Sequence, residues 1–443
     1  MRIARRILGL ILLLALAWTG LVLSEWFPLR TPAQQTALDL LERDPQRARG
    51  ERDAYPLLWL FNYDLPEAEL GAVLQADVQR FADQIQRRVV AMDYSSSAEG
   101  KYPAIPTPPG NDPRLCQPWN DDCLQRVRAD VEGTRARLAE FAQRLERGDL
   151  LRQYDHARYP FEPRFDSPVG GVAQLYPLQL TAAALAYVDG DVAGAFDRLC
   201  QDSATWRRLR ARSDMLIQDM VGVAQMSNAA QLYAQILAEQ PADFAAPCPE
   251  VFAALSDDEL DQCAVFRMEY LVWRNSMPQA IEGGVIGQGG VAGKLVSRLV
   301  NSRHVIDRFA EPIAYYCSDA QQQRVRARQV EPKPPIGFCS GASEWLFDPL
   351  GCFLIEEATP AYDPYFQRVL DLDGRMRLIQ ALIWLRTQSG DPAQAFEQRP
   401  DTLRSPAHAM RLQDGKLGLM HLDQARSAWW EIPFRAAAAP AGG

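Results

Sequence analysis

Asp155 and His156 are neighbours in the stretch 154–171, which is rich in aromatic residues and prolines. A carboxylate holding one ring nitrogen leaves the other free to act as a general base, so the pair is a candidate for hydrolytic catalysis. Tyr154, Tyr159, Phe161 and Phe165 could line a groove beside it, as could Trp345 and Phe347 in a later loop. The same rings serve equally well to pin long loops onto the body. The other histidines, His304, His408 and His421, complete no paired metal spacing, and no metal site is expected. His304 and Asp307 stand at i,i+3, the spacing of a surface pair on one helix face. Asp371-Leu372-Asp373-Gly374 begins like a calcium loop but has Met376 and Leu382 at the sixth and twelfth places, where Gly and Glu are required. A helix break or cap is expected there instead.

The Gly-rich run Gly283 to Gly293 contains Gly287-Gln288-Gly289-Gly290-Val291-Ala292 and ends beside Lys294. A phosphate-binding loop needs Gly in place of Gln288, Ser or Thr in place of Leu295, and a strand before it. The run reads as a hinge entering a helix, and no cofactor is expected. There is no G-x-S-x-G elbow and no S-x-x-K set with its partner motifs.

These residues are organised by the first stretch of the chain. Ile7 to Leu23 is 17 residues without a charge, preceded by Arg2, Arg5 and Arg6. At about 1.5 Å per residue it covers roughly 25 Å, a little under the ~30 Å hydrocarbon core of a bilayer. Arginines ahead of an apolar run stay in the cytoplasm, so the remainder is expected outside. A retained single-pass anchor in the bacterial inner membrane, with the bulk of the chain in the periplasm, is the reading adopted. Small-residue sites around Ala15 and Ala17, or Val22 and Ser24, keep a cleaved leader as the alternative. No cysteine follows the run to carry a lipid.

Export gives the eight cysteines their meaning, because an even count in an oxidising compartment points to disulfides. Cys116–Cys123, Cys248–Cys263 and Cys339–Cys352 are close in sequence, which leaves Cys200 and Cys317 to staple distant helices. Eight cysteines allow 105 pairings, so spacing alone does not decide. With 47% hydrophobic and 23% charged residues the exported part is ordinary globular material. A net charge of −9 argues against nucleic acid as a partner. The one basic cluster, Trp206 to Arg212, reads as a solvated helix face.

The fold expected is mainly α: a multi-helix bundle of helical hairpins, with a solenoid-like stack of them as the alternative, a small C-terminal β-hairpin and one transmembrane helix ahead of it. Thr31-Pro32-Ala33-Gln34 is a capping box with proline at N1, and Ser256-Asp257-Asp258-Glu259 is a second box that opens a helix through Trp273. Long helices are expected over 67–90 and 121–147, with Met215, Met220 and Met226 filling the core of a helical region that ends near 240. Gly190-Asp191-Val192-Ala193-Gly194-Ala195-Phe196 is echoed by Gly390-Asp391-Pro392-Ala393-Gln394-Ala395-Phe396. In each, Gly can end one helix, Asp can cap the next and Phe can pack back. Asp414-Gly415 between 410–413 and 416–419 is a strong hairpin signal, with 429–434 as a third, edge strand. The organisation expected is an anchor over 1–28, a helical domain over 29–405 with loops at 93–119 and 331–352, a β-hairpin element over 406–435, and a disordered tail over 436–443.

Phe347-Asp348-Pro349-Leu350-Gly351, Pro360-Ala361-Tyr362 and Asp371-Leu372-Asp373-Gly374 followed by Arg377-Leu378 together resemble the C-terminal half of uncharacterised bacterial envelope proteins with a single N-terminal anchor. The resemblance implies a location and a fold class, and no activity. The function expected is partner binding or scaffolding in the envelope, the partners being the membrane and another envelope protein. The alternatives are an exported hydrolase with a groove at Asp155 and His156, and an inhibitor or immunity-type protein presenting loop 103–118.

Overall fold

The computed structural model describes residues 2–22, 30–43, 50–87, 94–117, 122–170, 176–282, 300–329, 339, 345, 351–353, 355, 362–422 and 428–434. The expectations placed on the Gly-rich run 283–293, on Phe347 and most of loop 331–352, and on the tail 436–443 lie outside these residues.

The first half of the chain contains α1 (Arg2–Val22), α2 (Pro32–Glu42), α3 (Tyr55–Trp59), α4 (Glu67–Gln86), α5 (Cys123–Ala129), α6 (Val131–Glu140) and α7 (Ala142–Leu150). Then come α8 (Tyr176–Val188), α9 (Val192–Ala211) and α10 (Leu216–Ala238), packed successively on one another. They are followed by α11 (Asp257–Leu260), α12 (Cys263–Glu282), α13 (Ser302–Ala314), α14 (Asp319–Arg326), α15 (Asp363–Arg386) and α16 (Pro392–Glu397). An antiparallel sheet of order β1-β2-β3 closes the chain, from Met410–Gln413, Lys416–Met420 and Trp429–Pro433. The protein is therefore mainly helical with a small C-terminal sheet. Asp414 and Gly415 take φ of 52° and 72°, the left-handed pair that a two-residue hairpin turn demands.

Local chemistry explains several boundaries. The Thr31 hydroxyl accepts from Gln34 N while the Gln34 side chain accepts from Thr31 N, so the first capping box is formed. The second also forms, but the helix it opens stops at Leu260 instead of running to Trp273. Asp261 turns extended and its carboxylate accepts from Cys263 N, which starts α12 afresh. The single helix expected over 121–147 is likewise cut into α5, α6 and α7. Asp130 leaves helical geometry and caps α6 through Gly133 N. The two Gly-Asp echoes behave alike. Gly190 and Gly390 have φ of 90° and 98°, Asp191 and Asp391 cap the following helices, and Phe196 and Phe396 are buried.

Two apolar cores result. The larger gathers α3, α4, α5, α8, α9, α10, α15 and the inner face of the sheet. The smaller sits among α2, α12 and α13. Met220 and Phe366 pack against both and join them. Asp371-Leu372-Asp373-Gly374 is neither a break nor a cap, for it lies in the middle of α15. A Cβ on Gly374 would come within 2.7 Å of Leu419 Cδ1, so glycine there allows the sheet to sit directly on the helix.

The disulfides correct two of the expected pairings. Cys116–Cys123 and Cys339–Cys352 form as expected, but Cys248 joins Cys200 and Cys263 joins Cys317. The short turn Pro249–Phe252 and α11 stand between Cys248 and Cys263. They send the first toward α9 and the second toward the turn after α13. No free cysteine remains among the described residues.

Helix α1 exposes Leu10, Ile11, Leu12, Leu13, Leu14 and Leu16. Among the described residues, however, no helix is long and apolar enough to cross a membrane, so the expected transmembrane helix is not supported by them. The arginines occupy the first turns of α1 and leave a charge-free part, Ile7 to Val22, of only about 24 Å.

Candidate functional site

Residues 149–159 run beside Gln179 of α8 and Arg208 of α9, and this is where Asp155 and His156 lie. Two parallel bridges, Asp53 to His156 and Ala157 to Ser213, hold the segment between distant parts of the chain. Asp155 Oδ2 accepts from the backbone N–H of Glu51 and Arg52, at 2.9 and 3.1 Å. Its Oδ1 lies 2.6 Å from His156 Nδ1. The other ring nitrogen of His156 faces Asp53 Oδ2 at 3.9 Å. Burial alone would raise the Asp155 carboxyl, but the imidazole and the two N–H donors outweigh it and hold it below its ordinary value. The two residues predicted from sequence thus meet, with a carboxylate on each side of the ring where a base acting on a hydroxyl needs the hydroxyl.

The surrounding aromatics pack inward. Tyr159 and Phe161 are buried and meet Tyr55, Trp59, Phe81 and Tyr94 at ring-centroid distances of 5.0 to 6.4 Å. These rings pin the loop, which is the plainer of the two readings of the pattern. Phe165 remains 53% exposed with its edge against Trp273. Asp214, which accepts from Tyr159 N, is pushed up to about 6 by burial.

One turn earlier the segment borders a small cleft with about 10 Å³ of room, just enough for one water-sized group. Asp149 and Arg152 from the end of α7 and the turn after it, Gln179 from α8, and Asp202, Thr205 and Trp206 from α9 line it. Arg152 Nη2 donates to Asp149 Oδ1 at 2.7 Å. Asp202 is half-buried, but its Oδ2 is fully buried and has no hydrogen-bond partner. Burial pushes the Asp202 carboxyl up to about 7; Arg152 and the Trp206 indole offset this in part, and Asp149 adds to it. A pocket of this size holds a single hydrogen-bonding or cationic group and does not enclose a substrate.

Three arginines of the run Trp206 to Arg212 turn inward, contrary to the sequence expectation, while Arg212 stays exposed. Arg208 donates to the carbonyls of Tyr154 and Arg152. Arg207 clasps Glu259 and three carbonyls, Val251, Ala253 and Ala254. Arg210 pairs with Asp219 at 2.9 Å, both side chains buried. The proline-rich loop offered as an inhibitory segment is fastened in the same way. The buried Arg144 guanidinium donates to the carbonyls of Ile105 and Pro106, to Asn62 and to Thr107. Burial, together with neighbouring Arg147, lowers its pKa to about 10.

His304 and Asp307 are buried, not surface residues, and Asp307 is bound by Arg30 and Arg303. His421 Nε2 lies 2.7 Å from Arg375 Nη2. His408 Nε2 lies 2.9 Å from Asp371 Oδ1, and its Nδ1 lies 2.7 Å from Ser405 Oγ. Sequence reading missed both Asp202 and this last chain of three. The available signal was Ser405-x-x-His408, but Asp371 is 34 positions from Ser405 and no spacing rule links them. Among the described residues no group of three or more His, Cys, Asp or Glu is arranged to hold a metal ion.

The chain matches no family model, no curated protein and no solved structure.

Proposed function

We propose that this chain is an exported envelope protein, tethered by its first helix, whose disulfide-braced helical body binds another envelope protein. The observation that carries the reading is the pairing of the described cysteines into four disulfides, two of which close long stretches of chain. Bonds of this kind persist in oxidising compartments and are rare in the cytosol. The exposed leucines of α1 are the apolar surface such a tether would use. The cleft at Asp202 supports binding: it holds one unmet acceptor and room for one small donor, such as a lysine ammonium from a partner.

An alkaline phosphatase fused after residue 434 should be active in cells, and the thiols should resist maleimide until a reductant is added. Free thiols in intact cells would refute export. A photo-crosslinking residue in place of Gln201, next to Asp202, should trap one discrete envelope protein, and Asp149→Lys should abolish the adduct. A full-length chain that traps nothing there would refute the binding role.

A further inference from the structure

Ser405 and His408 lie on the loop between the turn Asp401–Leu403 and β1, and Asp371 lies on α15 beneath them. The loop reaches the helix because Gly374, three residues on from Asp371, has no side chain. A Cβ there would stand 2.9 Å from His408 Nδ1 and 3.0 Å from its Cε1. The imidazole therefore lies close against the helix, bridging Ser405 Oγ at 2.7 Å and Asp371 Oδ1 at 2.9 Å. Asp371 Oδ1 also accepts from Leu422 N at 2.8 Å, which fixes the carboxylate from the sheet side.

The burial is graded in the sense that acyl-transfer chemistry requires. The side chains of Asp371 and His408 are 2% and 1% exposed, whereas Ser405 is only half-buried. Ser405 is thus the least buried member of the chain of three. Burial would push the Asp371 carboxyl up, but His408, Leu422 N–H and Arg375 together hold it below its ordinary value. An ionised Asp371 accepts from Nε2–H, which leaves Nδ1 as the lone-pair nitrogen toward Ser405.

We propose that Ser405, His408 and Asp371 form a nucleophile, base and orienting acid for hydrolysis of short-chain carboxylic esters. The Ser405 proton passes to His408 Nδ1 as Oγ bonds to the acyl carbon. The imidazolium, held by Asp371, then returns that proton to the departing alcohol oxygen as the carbon–oxygen bond of the ester breaks. Water attacks the acyl-serine with the same nitrogen as base, releasing the carboxylic acid and restoring Ser405. The ring works in the reverse sense from the familiar triad, serine on Nδ1 and acid on Nε2. Roles and geometry define such a set, not atom names. The open position of Ser405 suits a small ester or an acyl group displayed on the outside of a larger molecule.

The test uses the purified full-length chain, treated with a fluorophosphonate probe and with p-nitrophenyl acetate. The wild type should be labelled at Ser405, as located by peptide mass mapping. Ser405→Ala should lose the label and at least about 100-fold of the ester hydrolysis while its thermal transition stays in place. Asp371→Asn should slow hydrolysis comparably. No labelling of the wild type, labelling at another serine, or full activity in Ser405→Ala would each overturn the proposal. Ser405→Ala carries the test if the buried Asp371 variant fails to fold. These outcomes are independent of where the chain resides and of what it binds.

Discussion

At Asp202 a single buried oxygen sets a measurable pH dependence. Its carboxyl is pushed up to about 7 in the folded chain, against about 3.9 when unfolded. Between those values the folded state keeps a proton that the unfolded state has released, so this group's contribution to stability falls as pH rises from about 4 to about 7 and is level above. Asp202→Asn should therefore be the more stable form at pH 8, by a few kcal/mol at most, with the gap closing by pH 4. Urea midpoints at the two pH values check this, and a gap that does not change with pH would contradict it. Arg210 and Asp219 make the opposite case. Both are buried, and Gln262 donates to Asp219 Oδ2 at 2.7 Å. Asp219→Ala strands the guanidinium and should cost about 3–5 kcal/mol by denaturant unfolding, whereas Asp189→Ala, which breaks the exposed pair with Arg135, should cost distinctly less. Neither contrast is legible in the sequence. Arg207, Arg208 and Arg210 sit in one basic run, and only the packing of α10, α11 and the segment 149–159 against α9 turns them inward.

At the scale of elements, glycines mark where helices and sheet approach. Gly374→Ala places a methyl 2.7 Å from Leu419 Cδ1 and should cost about 1–3 kcal/mol by forcing β2 off α15. Gly71→Ala, at an exposed position of α4 with nothing within 4 Å, should add about 0.5–1 kcal/mol. The two variants, measured side by side by thermal unfolding, separate close approach from helix propensity. Start and stop signals that act within four residues were read correctly: the Thr31 capping box, the Gly-Asp turns at 190 and 390, and the Asp414-Gly415 hairpin. The long helices over 121–147 and 256–273 were not, because Asp130 and Asp261 look like ordinary helix-surface residues until their carboxylates turn back to cap the next helix.

For the whole molecule, the disulfides decide where it can be stable. Cys200–Cys248 and Cys263–Cys317 span 48 and 54 residues, so each restrains far more of the unfolded chain than the 7-residue Cys116–Cys123 link. Replacing Cys200 and Cys248 together by Ser should cost about 2–5 kcal/mol in urea unfolding, and Cys116 with Cys123 distinctly less. Equal losses would show that loop length does not govern the effect.

The sequence by itself determined what depends on near neighbours: helix caps, the hairpin, the apolar first helix, and the expectation that the cysteines pair. It also placed Asp155 and His156 in contact, because they are adjacent. Only the tertiary structure decided which cysteines meet, which arginines turn inward, and that Ser405 and His408 reach Asp371 across the groove left by Gly374. The physical reason is range. A cap or turn is completed within a few residues by hydrogen bonds whose geometry the chain carries with it. A pairing across 30 or more residues depends on how α9, α10 and α15 pack, and that is set by the shape of the shared core.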